Sequence, residues 1–378
     1  MEYRKINGTD SSPSLLGYGC MRFPEKDGKI DEEKSIAMLK DAVDGGVNYF
    51  DTAYIYHNGA SESFIGRFLK EHSGLKRDEF YIATKLPTWE VNSLDDAKRI
   101  FAEQCERLQV ETIDFYLLHD LKIDRFEKME QLGVYDYCRE LQRQGKIKHF
   151  GHSSHENSEN FNKIINARDW DFVLLYLNYM DSNVGSDNYK MYEAATAKGI
   201  PVFCMEGIKG GSLANLPDNI LTHFELIHPN DTPSAWALRW VGSLGNVKVI
   251  LSGMSDKSQV KDNLKTLSGF VPLSDFEQDA IERVGVDLRK RVRNNCTGCN
   301  YCMPCPMGVN VPWCFSIWNT YGIYENRGHS NWEWGMVGKE SLPSNCSECR
   351  KCMKICPQNI DIVSDLKKCQ SELDGLKW

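Results

Sequence analysis

The chain has 378 residues, of which 41% are hydrophobic and 26% are charged, and its formal net charge is -8. This mildly acidic balance argues against a nucleic-acid-binding protein, because such proteins present an excess of cations to phosphates. No apolar run approaches the ~20 residues of a membrane span, and the longest, at 172–177, suits a strand buried on both faces, so no membrane partner is expected.

The first ~270 residues alternate short apolar runs with amphipathic stretches, which is the pattern of β-strand–helix units. Eight strands, each followed by a helix, are the count of a (β/α)8 TIM barrel. A doubly wound open sheet is the alternative, but eight regular units close more naturally. The predicted strands are 15–19, 47–50, 80–84, 113–118, 147–151, 172–177, 202–205 and 247–251, and the predicted helices are 32–44, 61–71, 94–108, 126–144, 156–167, 188–198, 233–241 and 257–267.

The pattern breaks at 269–272, where glycine and proline interrupt it. A helix from about residue 274 to residue 291 is expected to lead from the barrel into a cysteine-rich segment. We therefore predict an α/β protein with a barrel domain at 1–272, a linker helix at 273–290 and a small C-terminal domain at 291–378.

Polar side chains lie at the ends of three successive predicted strands. Asp51 ends the second strand, with Tyr56 five residues later, Lys85 ends the third and His119 ends the fourth. Because the active site of a barrel lies at the carboxyl ends of its strands, we expect these four residues to meet. A single aspartate could cap a helix and a single histidine could be a core residue, but four such residues at successive strand ends favour chemistry.

These four residue types fit one mechanism. Lys85, paired with Asp51, would place a positive charge beside Tyr56, lower the pKa of the phenol and let it donate a proton near neutral pH. His119 would hold a carbonyl oxygen in line for that proton. The sequence therefore predicts a catalytic tetrad that acts on a small-molecule substrate.

Eight cysteines follow in two groups, and each group ends in Cys-Pro. The second group reads C-x2-C-x2-C-x3-C-P, the bacterial [4Fe-4S] ligand run, and the first is one spacer residue shorter. Three thiolates on a tight turn bind one cluster and the fourth completes the other, so we expect two [4Fe-4S] clusters with crossed ligands in a ferredoxin-like domain. The two ligand sets are Cys296, Cys299, Cys302 and Cys356, and Cys346, Cys349, Cys352 and Cys305.

Two other roles for these cysteines, disulfide bonding and zinc binding, are less consistent with the sequence. Disulfides are disfavoured because the polar start of the chain lacks an apolar signal region, so a cytoplasmic protein with reduced thiols is expected. Zinc is disfavoured because zinc sites usually pair two C-x2-C units across a spacer of about twelve or more residues. The shortened first group leaves a single cluster as an alternative. Cys314 lies near enough to be a substitute ligand, although a packed thiol is its expected role.

A basic run at 289–293 precedes the first cysteine group. A solvated helix end is the favoured interpretation. The alternative is that these cations attract the anionic clusters or an acidic electron-carrier protein.

The chain resembles the aldo-keto reductases over about residues 1–270. The resemblance rests on the tetrad motifs FDTAYIYHNGASE, IATKL and DFYLLHD and their spacing, and on LLGYGCMR, GHSSHE, NYMD and LSGMS. The whole chain is similar to the branch of that family with a C-terminal ferredoxin-type module, in which CNYCMPCP recurs. The resemblance implies a (β/α)8 barrel, no flavin, NADH or NADPH bound across the strand ends, and the family tetrad at Asp51, Tyr56, Lys85 and His119.

The resemblance also implies cofactor-binding positions. Ser153 matches a serine that binds the nicotinamide carboxamide, whereas Ser154 and Leu174 stand where an asparagine and a glutamine are usual. Gly253 and Gln259 stand where a basic pair grips the 2'-phosphate, so NADPH is not expected to be favoured over NADH by more than about tenfold. Met205 replaces the usual stacking aromatic residue. The full expected set is Gly19, Met21, Ser153, Asn178, Met205, Gly253, Ser255, Gln259 and Asn263.

The leading functional hypothesis is an oxidoreductase that passes hydride between NAD(P)H and a carbonyl-type substrate, with Tyr56 as the proton donor. The clusters are then structural, redox-sensing, or electron carriers. The alternative is an electron-transfer protein on a reductase scaffold that passes single electrons from a ferredoxin or flavodoxin donor to a substrate in the barrel. A non-catalytic sensor is the third hypothesis, and the intact tetrad argues against it.

Overall fold

The structure is a computed structural model that describes residues 1–376, and the chain forms two compact units. The first unit comprises Met1–Gly210 and Ser234–Asp275. The second comprises Gly211–Pro233 and the described residues from Phe276 onward. Within residues 1–376, no helix is long and apolar enough to cross a membrane.

The first unit is built on a closed barrel of eight parallel strands, which confirms the predicted fold. Its strands follow one another around the barrel in chain order, and a two-stranded antiparallel hairpin, β2–β3, lies outside it. The strands are β1 (Leu16–Gly19), β2 (Glu25–Lys26), β3 (Lys29–Ile30), β4 (Tyr49–Asp51), β5 (Tyr81–Pro87), β6 (Ile113–His119), β7 (Ile147–Ser154), β8 (Phe172–Tyr176), β9 (Val202–Met205) and β10 (Val247–Ser252).

Side chains fill the barrel interior, so the barrel is a packed core rather than a pore. Phe115 lies 5.2 Å from Tyr49 and 5.2 Å from Phe172 between ring centroids, and Phe203 packs against the same rings. A Cβ at Gly151 would lie 2.3 Å from the carbonyl oxygen of Phe172, so only glycine fits at this point of β7. Because the interior is closed, chemistry is confined to the strand ends.

Helices surround the barrel and bury a second apolar layer against its outer face. The predicted helix at 126–144 is in fact two helices, because Gly133 adopts a φ of 70° and interrupts the helical path. The helices of the first unit are α1 (Glu32–Asp44), α2 (Ala60–Glu71), α3 (Leu94–Leu108), α4 (Ile123–Gln131), α5 (Val134–Arg143), α6 (Ser158–Ala167), α7 (Asp187–Ala197), α9 (Pro233–Ser243) and α10 (Lys257–Leu267).

The second unit is helical and has its own core. Phe315, Trp318, Trp334 and Leu373 are buried in it together with the thiol of Cys369. Cys314 is also buried, and its thiol donates to the carbonyl of Ser341 at 3.7 Å. Its helices are α8 (Asp218–Glu225), α11 (Asp275–Arg289), α12 (Val311–Tyr324), α13 (Arg327–Met336), α14 (Lys351–Lys354) and α15 (Ile362–Asp374).

Candidate active site

Three adjacent strands bring the predicted tetrad together. β4 ends at Asp51, β5 carries Lys85, and β6 ends at His119. In the parallel register Lys85 pairs with Leu117, two residues before His119, so these side chains emerge at one end of the barrel. Tyr56 opens the short helical turn Tyr56–Gly59 that follows β4.

Lys85 is the centre of this group. Its ammonium donates to Asp51 Oδ1 at 2.5 Å, to the carbonyl of Thr52 at 2.7 Å and to Tyr56 Oη at 3.4 Å. The ammonium also lies 4.9 Å from the centroid of the Tyr56 ring. Lys85 is only 1% exposed and Asp51 3%, so each charge depends on the other for compensation.

Burial and charge act in opposite directions on these groups. Burial disfavours the Lys85 ammonium, but Asp51 and Tyr56 outweigh it and raise the pKa of Lys85. Burial raises the pKa of Tyr56 and the Lys85 charge lowers it, and the net direction is upward. This reverses the expected net direction, because the sequence shows the neighbouring charge but not the depth of burial. The phenol therefore holds its proton at neutral pH.

His119 is held as a neutral imidazole. Burial lowers its pKa to about 3, and the nearby charges of Lys85, His155 and Arg125 act in the same direction. Its ring centroid lies 6.1 Å from that of Tyr56 and 5.1 Å from that of Trp89. Among residues 1–376 its Nδ1 atom has no hydrogen-bond partner. The geometry thus leaves a neutral imidazole beside the Tyr56 ring.

A buried polar network holds β5 in place behind the tetrad. Glu62 accepts hydrogen bonds from Thr84 at 2.6 Å and from Gln104 at 2.9 Å, and it pairs with Arg107 at 3.2 Å. Gln104 also donates to the carbonyl of Lys85 at 3.0 Å. The network fixes the backbone from which Lys85 projects.

Ser153 and Asn178 make internal hydrogen bonds. Ser153 Oγ accepts from the backbone N–H of Asp120 at 2.8 Å. Asn178 Oδ1 accepts from the N–H groups of Met180 and Asp181 at 3.0 Å each, and its amide donates to Asp181 at 3.1 Å. Both side chains are buried. The Asn178 amide is largely used within the protein, whereas Ser153 accepts one hydrogen bond and keeps its hydroxyl hydrogen as a donor.

The other expected cofactor positions gather where β1, β9 and β10 end. Asn263 donates to Ser252 Oγ at 2.9 Å, and Gln259 accepts from the N–H of Ser255 at 2.8 Å. β1 and β10 are adjacent, and a Cβ at Gly19 would lie 3.3 Å from the nitrogen of Gly253. Met205 ends β9 half-buried, while Met21 is 57% exposed just after β1.

Arg22 lies beside Gly253, just after β10. It was not identified from the sequence as a candidate cofactor-binding residue. A Cβ at Gly253 would lie 3.0–3.3 Å from the aliphatic carbons of Arg22, and a Cβ at Gly210 would lie 3.7 Å from its Nη2. Arg22 therefore runs from the end of β10 toward the loop after β9. Within residues 1–376 its exposed guanidinium has no ion-pair partner. A lone arginine carries no spacing signal, so only the fold brings it to Gly253.

A second polar group at the barrel end was also missed. Tyr176, the last residue of β8, donates to Asp181 Oδ2 at 2.5 Å. The ammonium of Lys209 bonds the same carboxylate and lies 3.3 Å from Tyr176 Oη. These three side chains are hydrogen-bonded to one another, and they connect the loop after β9 to the loop after β8. The strand-end rule alone could have marked Tyr176.

Seven of the eight predicted ligand cysteines gather as two groups of thiols in the second unit, and the eighth, Cys305, packs against the core of that unit. Cys296, Cys299, Cys302 and Cys356 line one cavity, walled by apolar side chains that include Phe315 and Ile362. Burial raises the pKa of Cys352, and the adjacent Cys346 and Cys349 thiols contribute. A cavity lined by four thiols and apolar side chains fits a [4Fe-4S] cluster.

No three His, Cys, Asp or Glu side chains of residues 1–376 converge on a single metal ion. A cubane does not require such convergence, because each thiolate binds its own iron. All fourteen cysteines lie in the described part of the chain and are free of disulfide bonds.

Comparison with known proteins identifies one family for the barrel part of the chain and another for its cysteine-rich part. The sequence model of the aldo/keto reductase family matches residues 15–285, and that of the 4Fe-4S dicluster domain matches residues 295–360. The chain is similar to the aldo-keto reductase YhdN of Bacillus subtilis, at 33% identity over 162 residues, 41% of this chain and 47% of that one. It is 25% identical to L-galactose dehydrogenase of Arabidopsis thaliana over 154 residues, 40% of this chain and 48% of that one. The chain spans about half the length of the curated relatives it matches.

Two solved structures share the barrel fold. The holo form of aldo-keto reductase AKR11C1 from Bacillus halodurans has a TM-score of 0.63 and 23% identity, covering 75% of this chain and 96% of that one. The thermostable aldo-keto reductase Tm1743 has a TM-score of 0.61 and 21% identity, covering 75% of this chain and all of that one (100%). At these identities the likeness is one of fold.

Proposed function

Because the chain belongs to the aldo/keto reductase family and carries a C-terminal 4Fe-4S dicluster domain, we propose that it reduces a carbonyl-type substrate with Tyr56 as the proton donor. The observation that carries the proposal is the contact of the buried Lys85 ammonium with both Tyr56 Oη and Asp51.

Each member of the tetrad has a distinct role. Tyr56 holds its proton until negative charge develops on the substrate oxygen, and then donates it. Lys85 stabilises the phenolate that remains, since its ammonium lies 3.4 Å from the oxygen. Asp51 keeps Lys85 charged and positioned. His119, which is neutral, orients the carbonyl oxygen toward Tyr56 without competing as an acid.

The residues at the ends of β1, β9 and β10 would hold NADH or NADPH. When bound, the nicotinamide would supply the hydride that the tetrad lacks. Arg22 would supply a cation for a phosphate group of the dinucleotide. Its Nη2 atom lies near Gly210, and we assign it to the diphosphate that NADH and NADPH share. The clusters would be two, with the crossed ligand sets predicted from sequence, and the shared cavity of Cys296 and Cys356 supports the crossing.

A second candidate function is single-electron transfer from a ferredoxin or flavodoxin to a substrate in the barrel. It is favoured by Asn178, whose side-chain oxygen and amide nitrogen are hydrogen-bonded within the protein and so are not free for a nicotinamide carboxamide.

Titration of anaerobically purified protein with NADH and with NADPH separates the two candidates. Nicotinamide fluorescence reports binding, and cluster absorbance reports reduction. We expect binding of at least one nucleotide. Binding accompanied by bleaching of the clusters would show that electrons pass from the nucleotide to the clusters. Binding without bleaching would favour a structural role for the clusters. If neither nucleotide binds, the nicotinamide mechanism is wrong and electron transfer becomes the leading function.

A further inference from the structure

The two cysteine loops of the second unit differ in charge. The first, from Cys296 to Cys305, contains no charged residue. The second, from Cys346 to Cys356, contains three cations and one anion, although the whole chain carries a net charge of -8. The charged residues of the second loop are Glu348, Arg350, Lys351 and Lys354.

The three cations of the second loop are exposed and unpaired. Glu348, the one anion, pairs with Lys367 at 2.6 Å. Arg350, Lys351 and Lys354 have no ion pair or hydrogen bond through their side chains anywhere in residues 1–376. Their charge is therefore available to a partner.

The basic run that the sequence first suggested behaves differently. Lys290 pairs with Asp287 at 2.8 Å, Arg293 pairs with Glu372 at 2.6 Å, and Arg291 pairs with Glu325. Three of the four cations in this run are therefore ion-paired within the second unit. The second cysteine loop, by contrast, carries three exposed cations close together in sequence, none of them ion-paired within residues 1–376.

The second loop also presents its cysteine ligand and an apolar side chain to solvent. Cys349 is exposed, and Ile355 is 52% exposed. Lys351 and Lys354 are three residues apart on α14 and so lie on one face of it. Arg350 and Glu348 flank Cys349 with φ values of 57° and 55°, which turns the backbone sharply around this thiol.

We propose that Arg350, Lys351, Lys354 and Ile355 form a docking face for an acidic one-electron carrier protein, through which electrons enter the cluster held by this loop. The proposal rests on the proposed function in requiring that this cluster forms. Unpaired cations steer an anionic partner to the face, and an apolar residue among them gives close contact once it has docked. The neutral first loop offers no comparable attraction.

The electron balance is simple. The carrier's reduced centre loses one electron and the cluster gains it, with no bond made or broken and no proton moved. The negative charge that the cluster would gain would be stabilised by the neighbouring cations, which would raise its reduction potential relative to that of a cluster in neutral surroundings. The cationic loop is therefore suited to receive electrons first.

The test is the reduction of the full-length, cluster-loaded protein by a reduced acidic ferredoxin in anaerobic stopped flow. Lys351→Glu/Lys354→Glu reverses the charge of the face. Lys290→Glu/Lys368→Glu changes the net charge equally elsewhere in the unit, at lysines already paired with an aspartate three residues earlier. Iron, sulfide and cluster spectra are measured first, so that failed cluster assembly, which would count against the proposed function, is recognised separately.

We expect the Lys351/Lys354 variant to lose at least tenfold in second-order rate at low ionic strength, and the wild-type rate to fall as salt is added. The control variant should keep most of the wild-type rate. Reduction by photoreduced deazaflavin, a small neutral donor, should be equal in all three proteins. Equal ferredoxin rates in assembled wild type and Lys351/Lys354 variant would overturn the docking face. So would charge-dependent binding to anionic lipid vesicles or to single-stranded DNA without any effect on the ferredoxin rate, because the cations would then serve another partner.

Discussion

The ammonium of Lys85 and the carboxylate of Asp51 form a buried ion pair at 2.5 Å, at the ends of neighbouring strands. Neither charge has much access to water, and within residues 1–376 the only other oxygens bonded to the ammonium are the Thr52 carbonyl and Tyr56 Oη. If the proposed mechanism holds, catalysis and stability depend on the same atoms of this pair.

Lys85→Met should therefore both inactivate and destabilise the barrel. Removing one partner of a buried pair leaves an uncompensated charge and costs about 3–5 kcal/mol. Lys85→Met/Asp51→Leu removes both charges and should cost less than the sum of the two single variants. Thermal unfolding of each variant measures this energetic coupling between Lys85 and Asp51. Strictly additive losses would mean that the two side chains do not compensate each other.

Tyr56→Phe should remove the proton donor while leaving the fold intact. The loss of general-acid help typically costs about 10²–10⁴ in rate, so kcat with a carbonyl substrate should fall by that factor. Tyr54→Phe is the matched control, because Tyr54 bonds Glu103 at 2.6 Å rather than Lys85. Turnover by Tyr56→Phe at the wild-type rate would refute its assignment as the acid.

Two buried imidazoles should make the barrel sensitive to acid. Burial lowers the pKa of His119 and of His152 to about 3, from an ordinary value of 6.5. Above pH 6.5 neither group affects stability. Below it, the unfolded chain takes up protons that the folded chain does not, so stability should fall by up to about 1.4 kcal/mol per pH unit per group, until the pH approaches 3.

Unfolding of His152→Phe between about pH 6 and pH 4 measures this contribution. His152 packs on Trp170 at 4.5 Å, and neither of its ring nitrogens has a partner among residues 1–376, so phenylalanine suits the site. The variant should show a shallower loss of stability on acidification than wild type. His72→Phe, a change at an exposed position, is the control and should leave the slope unchanged. An unchanged slope in His152→Phe would contradict the low pKa.

The sequence was most informative where chemistry follows strand order. Asp51, Lys85 and His119 were found because parallel strands end at one edge, a rule that needs no knowledge of packing. Gly133 could have been recognised as a break, and the Asp27-Gly28 turn between β2 and β3 is a standard hairpin signal that was passed over. Arg22 could not be found, because its approach to Gly253 joins segments far apart in sequence. Tyr176 could have been found at the end of a predicted strand, but its contact with Lys209 could not. The pKa of Tyr56 was misjudged for the same reason, since burial is a property of the fold.

The proposed crossed ligation predicts which cluster each cysteine substitution removes. Chemical iron and sulfide should each be near eight per chain, as two [4Fe-4S] clusters require. Cys356→Ala should damage the cluster held by Cys296, Cys299 and Cys302, whose cavity it shares. Cys314→Ala, which removes a buried thiol bonded to the Ser341 carbonyl, should leave iron content unchanged. Loss of the other cluster in Cys356→Ala would refute the crossing, and about four irons per wild-type chain would mean that the shortened group does not assemble a cluster.

Arg22→Gln should weaken the binding of NADH and of NADPH alike. A charge-assisted hydrogen bond contributes about 1.5–3 kcal/mol, so each affinity should fall by roughly tenfold or more. Lys26→Gln, on the exposed hairpin β2–β3, is the control and should bind as wild type.

The wild-type protein should favour NADPH over NADH by no more than about tenfold, or roughly 1.4 kcal/mol. The reason is that Gly253 and Gln259 offer no charge to a 2'-phosphate, while the guanidinium of Arg22 points toward Gly210 and the end of β9. Equilibrium binding of both nucleotides at one ionic strength decides the matter. A hundredfold preference for NADPH that disappears in Arg22→Gln would show that Arg22 reads the 2'-phosphate instead of the shared diphosphate.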